Sequence, residues 1–362
     1  MAPFVRIRQI CLNAADLDWA TDTLCAMLDT TVACECSVPL RPSALGCAAP
    51  LCSVSAPRSL LRLTRACAVR DPHILNIYLF NALLYCGDCM LEVVSPTDEG
   101  WEEAPGGLGG RGPNTQAKQL DKQGDSGYMA IFQVEDQEGV SKRLMELGVR
   151  PVGTPTMMFN KPLGEGGASH MTPESAVSSS YVAGEPVPPC PTDGSSFNCG
   201  VQWHPADAGT LLETDQVEPN LPGAAGCWGP AGNGWQHGLA RKSTVCEEFA
   251  GVTIAVADPP AMAAKYATAF DKPLVLGGTA VQIDTRADMG GVSLVKFVPL
   301  DSTRDGRAGV VGLDIFAAPE GAGAGSRTAG RKAFNSTELC GVRFTLVDRA
   351  TYGQDSDGPA KL

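Results

Sequence analysis

Histidine is scarce in this 362-residue sequence: there are four, at positions 73, 170, 204 and 237. Iron oxygenase chemistry, which needs two imidazoles and a carboxylate on one face of a metal, therefore has little to draw on. Charge is sparse as well. Asp, Glu, Lys and Arg make up 19% of the chain, and 40 acidic residues against 28 basic ones give a formal balance of −12. No Lys/Arg cluster stands out, so the basic surface that a nucleic-acid partner requires is missing. No apolar run reaches the ~18 to 20 residues of a bilayer span. Met1 to Phe4 lead almost directly into a strand-like segment, so the expectation is a cytoplasmic chain without export signal or membrane anchor.

Regularity is also missing from the 14 cysteines, most of which lie inside apolar segments, such as Cys11, Cys25, Cys89 and Cys340. They read as reduced, buried thiols rather than a disulfide framework. Cys86-Gly87-Asp88-Cys89 has no second pair at zinc-site spacing and reads as a turn.

What the chain has in quantity is 41 Gly, 27 Pro and 44% apolar residues, which favours many short elements joined by turns. The length fits two domains, each able to bury its own core.

The order of elements repeats. Residues 6–12 alternate as a strand, Asp16 stands at a helix N-cap, and Leu17, Ala20, Leu24 and Leu28 follow at helical spacing. The same order recurs at residues 129–134, with Asp136 as cap and Val140, Leu144 and Leu147 as the stripe closed by Gly148. It returns at residues 252–256, where Asp258 caps, Pro259 takes the first helical position, and Met262, Tyr266 and Phe270 form the stripe. A fourth copy starts near residues 309–316, but its helix region, 319–330, is rich in Gly and Ala. Each copy closes on a strand: 90–94, 210–214, 292–297 and 341–346. The repeating unit is βαβββ.

The expected fold is α+β, with tandem βαβββ modules forming cupped mixed sheets in two domains. The first domain spans 1–218, with modules at 1–100 and 125–218. Residues 219–245, with Trp228 and Trp235, read as a packed connector; 246–350 form a smaller, degenerate domain and 351–362 a tail. Stretches 34–57 and 161–198 read as surface insertions.

Seven residues before each of the first two caps lie Gln9 and Met129. The intervals from Gln9 to Glu92 and from Met129 to Glu213 are 83 and 84 residues, so both modules set a carboxylate at nearly the same register. Strand periodicity puts Glu92 with Met90 and Val94, and Glu213 with Leu211. A carboxylate among apolar neighbours calls for a metal or a hydrogen-bond network. Units three and four place Gly251 and Val295 where a ligand pair would sit, and neither is a carboxylate or an imidazole.

These features resemble the vicinal-oxygen-chelate superfamily, in an uncharacterised glyoxalase-like branch. The resemblance is carried by residues 8–12 with Asp16-Leu17, residues 91–97, Gly127-Tyr128-Met129, residues 204–213 and 228–232, and extends through Phe297-Val298-Pro299. It implies that first and last strands of each module supply up to four metal ligands. Glyoxalase I holds Gln, Glu, His and Glu there; this sequence is similar at Gln9, Glu92 and Glu213 and departs at Met129. The resemblance thus implies a metal set of Gln9, Glu92 and Glu213 for a divalent Zn²⁺ or Ni²⁺, or a pocket that kept its carboxylates and lost the ion.

The resemblance implies a lyase or isomerase acting next to a carbonyl, with Glu92 or Glu213 as the catalytic base and Met129 and His204 lining the pocket. The alternative is a non-catalytic ligand-binding or assembly protein. His204, in a His-Pro-x-Asp run also found in the superfamily's epimerases, reads as a cap for the turn before residue 210 as well. The expected partner is a small molecule, without nucleic acid or membrane, and a homodimer is compatible with the fold. Residues 106–110 are glycine-rich but lack a phosphate-loop ending and read as a loop. Asn335-Ser336-Thr337 fits the glycosylation pattern, which has no use in a cytosolic chain.

Overall fold

The computed structural model describes residues 3–30, 78–87, 89–102, 113–152, 156–160, 176–180, 196–218, 243–285, 290–303, 305–318 and 336–353. The first unit runs β1 (Val5–Asn13), α1 (Leu17–Leu28), β2 (Leu79–Cys86) and β3 (Cys89–Pro96), followed by α2 (Asp98–Glu102) and α3 (Thr115–Gln123). The second runs β4 (Ser126–Val134), α4 (Gln137–Glu146), β5 (Thr156–Asn160), β6 (Ala176–Ser180), β7 (Ser196–Trp203), α5 (Pro205–Ala208) and β8 (Leu211–Glu218). The third comprises β9 (Cys246–Val256), α6 (Pro259–Phe270), β10 (Leu274–Val275), β11 (Ala280–Ile283) and β12 (Ser293–Pro299); the fourth comprises β13 (Gly309–Ala317), β14 (Ser336–Leu339) and β15 (Val342–Val347).

The three long helices start where the sequence places them. Asp16, Asp136 and Asp258 each accept a hydrogen bond from the backbone N–H three residues on, at Trp19, Gly139 and Ala261, satisfying a donor that the first helical turn leaves unpaired. Each helix then buries one stripe: Ala20, Leu24 and Leu28 in α1, Val140 and Leu144 in α4, Tyr266 and Phe270 in α6.

The strands form two mixed sheets, ordered β2-β3-β1-β4-β8-β7-β5-β6 and β10-β11-β12-β9-β13-β15-β14. In both, the opening strands of two units pair antiparallel at the centre, β1 with β4 and β9 with β13. Each opening strand also takes the closing strand of its own unit as a parallel neighbour, a pairing that requires a crossover rather than a hairpin. The modules therefore pair within one chain, as tandem βαβββ units. Unit two carries an additional edge strand, β6, inside the stretch read as an irregular insertion. Its sequence, Ala-Val-Ser-Ser-Ser, has no apolar alternation to announce it, and it pairs antiparallel with β5. Residues 31–77 of unit one, the expected helix region of the fourth unit (319–330) and residues 219–242 of the expected connector lie outside the described residues.

One face of each sheet contributes to a shared core. Ile10, Leu24, Phe132 and Trp203 join Phe249, Ile254, Tyr266, Phe270 and Phe344 in a single buried cluster. Helix α6 sits at its centre, with Tyr266 and Phe270 meeting Phe132 at ring separations of 6.5 and 5.2 Å, and Tyr266 meeting Phe297 at 4.9 Å. Polar contacts fix the seam: Tyr266 donates its hydroxyl proton to the Ala208 carbonyl at 2.9 Å, and the Asp284 N–H bonds the Val5 carbonyl at 2.8 Å. Arg6 and Glu248 form an ion pair at 3.9 Å with side chains 1% and 3% exposed. The described cysteines are free thiols, and no described helix is long and apolar enough to cross a membrane.

Candidate functional site

The opposite face of the first sheet carries a smaller apolar cluster, Cys11, Leu83, Tyr85, Met90, Met129, Ile131, Leu211 and Val217. Polar side chains are set into it by strand register. Gln9 lies opposite Ile131 and Cys11 opposite Met129 across the central pair. Cys11 also lies beside Glu92, and Ile131 beside Glu213. Exchanging the two units thus swaps Gln9 with Met129, Cys11 with Ile131, and Glu92 with Glu213, and all four expected site positions share one face.

Glu92 is buried and held on both oxygens. Gln9 Nε2 and the Cys11 thiol donate to Oε2 at 2.8 and 2.7 Å, and Asn81 Nδ2 donates to Oε1 at 2.8 Å. Burial, followed by the Glu92 charge, pushes the Cys11 thiol well above its ordinary range, so it stays protonated and serves as a donor. Tyr128, in the bulge between the Cys11 and Leu12 pairings, accepts a hydrogen bond from Gln116 Nε2 at 2.5 Å. Its phenol is raised by burial, then by Cys11 and Glu92.

The second half of the site is built differently, because Met129 and Ile131 replace two polar residues. Glu213 is half-buried and accepts from Gln202 Nε2 at 2.8 Å. Burial raises its pKa, the Gln202 bond opposes that rise, and the Glu92 charge adds to it. Two residues along the same strand face, Asp215 is fully buried, with Asn198 Nδ2 donating to Oδ1 at 3.1 Å. Burial and then the Glu213 charge hold Asp215 well above the carboxylate range. Its other oxygen finds no donor. The side-chain interaction between the two acids acts in the same direction, raising Asp215 and lowering Glu213, as expected where the proton of the pair sits on Asp215. Gly200 leaves the room for this pair: a Cβ there would lie 2.3 Å from Asp215 Oδ1 and 3.4 Å from Glu213 Oε1.

Asp215 was accessible to sequence reasoning, since period two from Glu213 reaches it. Asn81, Gln202 and Asn198 were not, because their placement depends on the register of β2 and β7. His204, expected to line the pocket and also read as a cap for this turn, caps α5: its Nδ1 accepts from the Ala206 N–H at 3.2 Å and lies 3.5 Å from Arg150. Pro205, at the first helical position, makes the preceding residue the natural cap. Arg150 and Asp207 close this turn with an ion pair at 2.7 Å, and the Arg150 hydrogen bond lowers Asp207 to about 2. His73, His170, His237 and residues 106–110 lie outside the described residues. In the second sheet, Val295 is not the counterpart of Glu92. It pairs with Val252 and enters the core, whereas Lys296, paired with Thr253, occupies that register.

A divalent ion finds a poor donor set here. The Glu92 oxygens already receive three donors, Gln9 turns its amide nitrogen to Glu92, and Met129 offers a thioether, which suits soft Cu(I) rather than Zn²⁺ or Ni²⁺. Among the described residues no three His, Cys, Asp or Glu converge as a metal cluster. The residues as placed do not fit the ion that the family resemblance implies.

No protein-family profile matches this chain, and no curated protein matches it significantly. Among solved structures it is similar to a methylmalonyl-CoA epimerase from Mycobacterium tuberculosis, at 17% identity over 60% of this chain and 91% of that one, with a TM-score of 0.30. A hypothetical protein from Staphylococcus aureus is 12% identical over 75% of this chain and 87% of its own, with a TM-score of 0.41. A hypothetical protein from Bacillus halodurans is 14% identical over 59% and 94%, with a TM-score of 0.31. The strand orders themselves, rather than these distant likenesses, define the fold.

Proposed function

We propose that the first cup performs proton transfer next to the carbonyl of a small molecule, as an isomerase or a lyase, with Glu213 as the base. In this reading Glu213 takes the proton from the carbon beside the carbonyl, and the C–H electron pair moves into the carbonyl to give an enolate. The proton is then returned to carbon in an isomerase, or a leaving group departs with the electron pair in a lyase. Gln202 uses one N–H on Glu213, and its second can face the developing oxyanion. Asp215 carries the proton of the pair behind Glu213, while Glu92, fixed by three donors, supplies a stationary negative charge that favours protonated Glu213.

The observation that carries this reading is the shared sheet face of Glu92 and Glu213, close enough for the charge of one to raise the pKa of the other. A base with a raised pKa suits proton abstraction near neutral pH. The test incubates the protein with 2-oxo compounds, acyl thioesters and thiol adducts in D₂O and follows deuterium incorporation by mass spectrometry. Glu213→Gln is expected to lower the exchange rate by roughly 10²- to 10⁴-fold; exchange undiminished in that variant rules Glu213 out as the base. Met129, at the third ligand place, favours a second reading, a binding protein without catalysis. Ligands from the same panel would then bind without any exchange.

A further inference from the structure

The second sheet has a cup of its own, and its occupant is part of the chain. Strand register sets Gly251 at the place of Gln9, Lys296 at that of Glu92, and Gly312 at that of Met129; Asp314 falls where Ile131 stands. The turn after β15 brings Tyr352 over this face. Its hydroxyl donates to Asp314 Oδ2 at 2.6 Å, and Lys296 Nζ bonds the same oxygen at 2.5 Å. The phenol ring stands edge-on to Phe316 at 5.5 Å, with the Lys296 ammonium 6.0 Å from its centroid. Gly251 makes the space: a Cβ there would lie 2.2 Å from the Tyr352 hydroxyl and 2.8 Å from the Leu294 carbonyl oxygen.

The turn is anchored independently of Tyr352. Arg349 bonds Glu247 and Glu248 at 3.3 and 3.1 Å and the Gly290 carbonyl at 2.8 Å, and it stacks 3.9 Å above Phe316. Within the turn, the Tyr352 N–H bonds the Asp348 carbonyl at 3.0 Å. The half-buried phenol thus meets a carboxylate at its hydroxyl, an aromatic ring and a cation beside its own ring, and a glycine in place of a side chain beneath it.

We propose that the second cup is a binding site for a 4-hydroxyphenyl group, and that Tyr352 is its resident ligand, delivered by the chain itself. The turn at residues 348–352 then acts as a plug, and a small phenol takes the place of Tyr352 when that side chain is removed or withdrawn. The inference is independent of the chemistry assigned to the first cup. In the intact protein an intramolecular occupant enjoys a high effective concentration, so free phenols should compete poorly with it.

The test is thermal unfolding of full-length wild type, Tyr352→Ala and Tyr352→Phe, each with and without millimolar 4-methylphenol or toluene. Tyr352→Ala is expected to melt several degrees below wild type and to recover saturably with 4-methylphenol, by at least twice the shift that toluene gives. Tyr352→Phe should melt below wild type and ignore both additives, because its ring still fills the place. Adding Asp314→Ala to Tyr352→Ala should abolish the preference for 4-methylphenol over toluene. If Tyr352→Ala is recovered only unfolded, refolding in 4-methylphenol but not in toluene supports the site, and refolding in neither overturns it. Equal responses to the two additives, or a Tyr352→Phe protein as stable as wild type, would also overturn it.

Discussion

At the residue scale the first cup is a case of two carboxylates in unlike surroundings. Glu92 has three donors and Glu213 has one amide and an acid neighbour. Glu92→Gln would leave an amide, with a single acceptor oxygen, facing three donors, and should cost about 1–3 kcal/mol of stability in denaturant titration. Asp215→Asn should do the reverse at neutral pH. The folded chain keeps a proton on Asp215 that the unfolded chain releases, so wild-type stability falls as pH rises from the ordinary carboxylate range toward the raised folded pKa. An asparagine escapes that loss. The variant should therefore gain over wild type as pH climbs through this window, by roughly 2–4 °C in melting temperature for each kcal/mol recovered. A melting difference that does not change with pH would place the Asp215 proton elsewhere.

At the element scale, the helix starts and opening strands were legible because a cap aspartate and an apolar stripe are local signals, and all three caps are in place. Closing strands were legible from their position in the repeat. Partners across strands were not: a one-residue error in register moves a side chain to the opposite face, which is how Val295 was taken for the position that Lys296 holds. Gln9, Glu92, Met129 and Glu213 were read from spacing and Asp215 lay within its reach, while Asn81 and Gln202 required the pairing itself. The β4–β13 seam offers a separate test. A Cβ on Gly127 would lie 2.2 Å from the Val310 carbonyl oxygen, and a backbone atom cannot rotate aside. Gly127→Ala should cost about 1–3 kcal/mol, the usual penalty of overpacking, measured as a lower denaturant midpoint.

At the scale of the whole molecule, two sheets share one core around α6, so neither can keep its buried face without the other. Heat should therefore unfold both together, in a single calorimetric transition; two separated transitions would show independent domains. The cups on the far faces have diverged. The first retains acids and amides facing one another, and the second holds a Lys-Asp-Tyr set with Tyr352 inside. Zn²⁺ or Ni²⁺ should leave the wild-type melting temperature unchanged and raise that of Met129→His, if the thioether and the Glu92 donors are what bar the ion.

The most direct measurement is the titration of Glu213, followed by ¹³C NMR of carboxyl-labelled glutamate in wild type and in Glu92→Gln. The proposed cup predicts a Glu213 pKa above the ordinary carboxylate range in wild type, and a lower one once the Glu92 charge is gone. An ordinary value in both proteins would mean that the two carboxylates do not share a cavity.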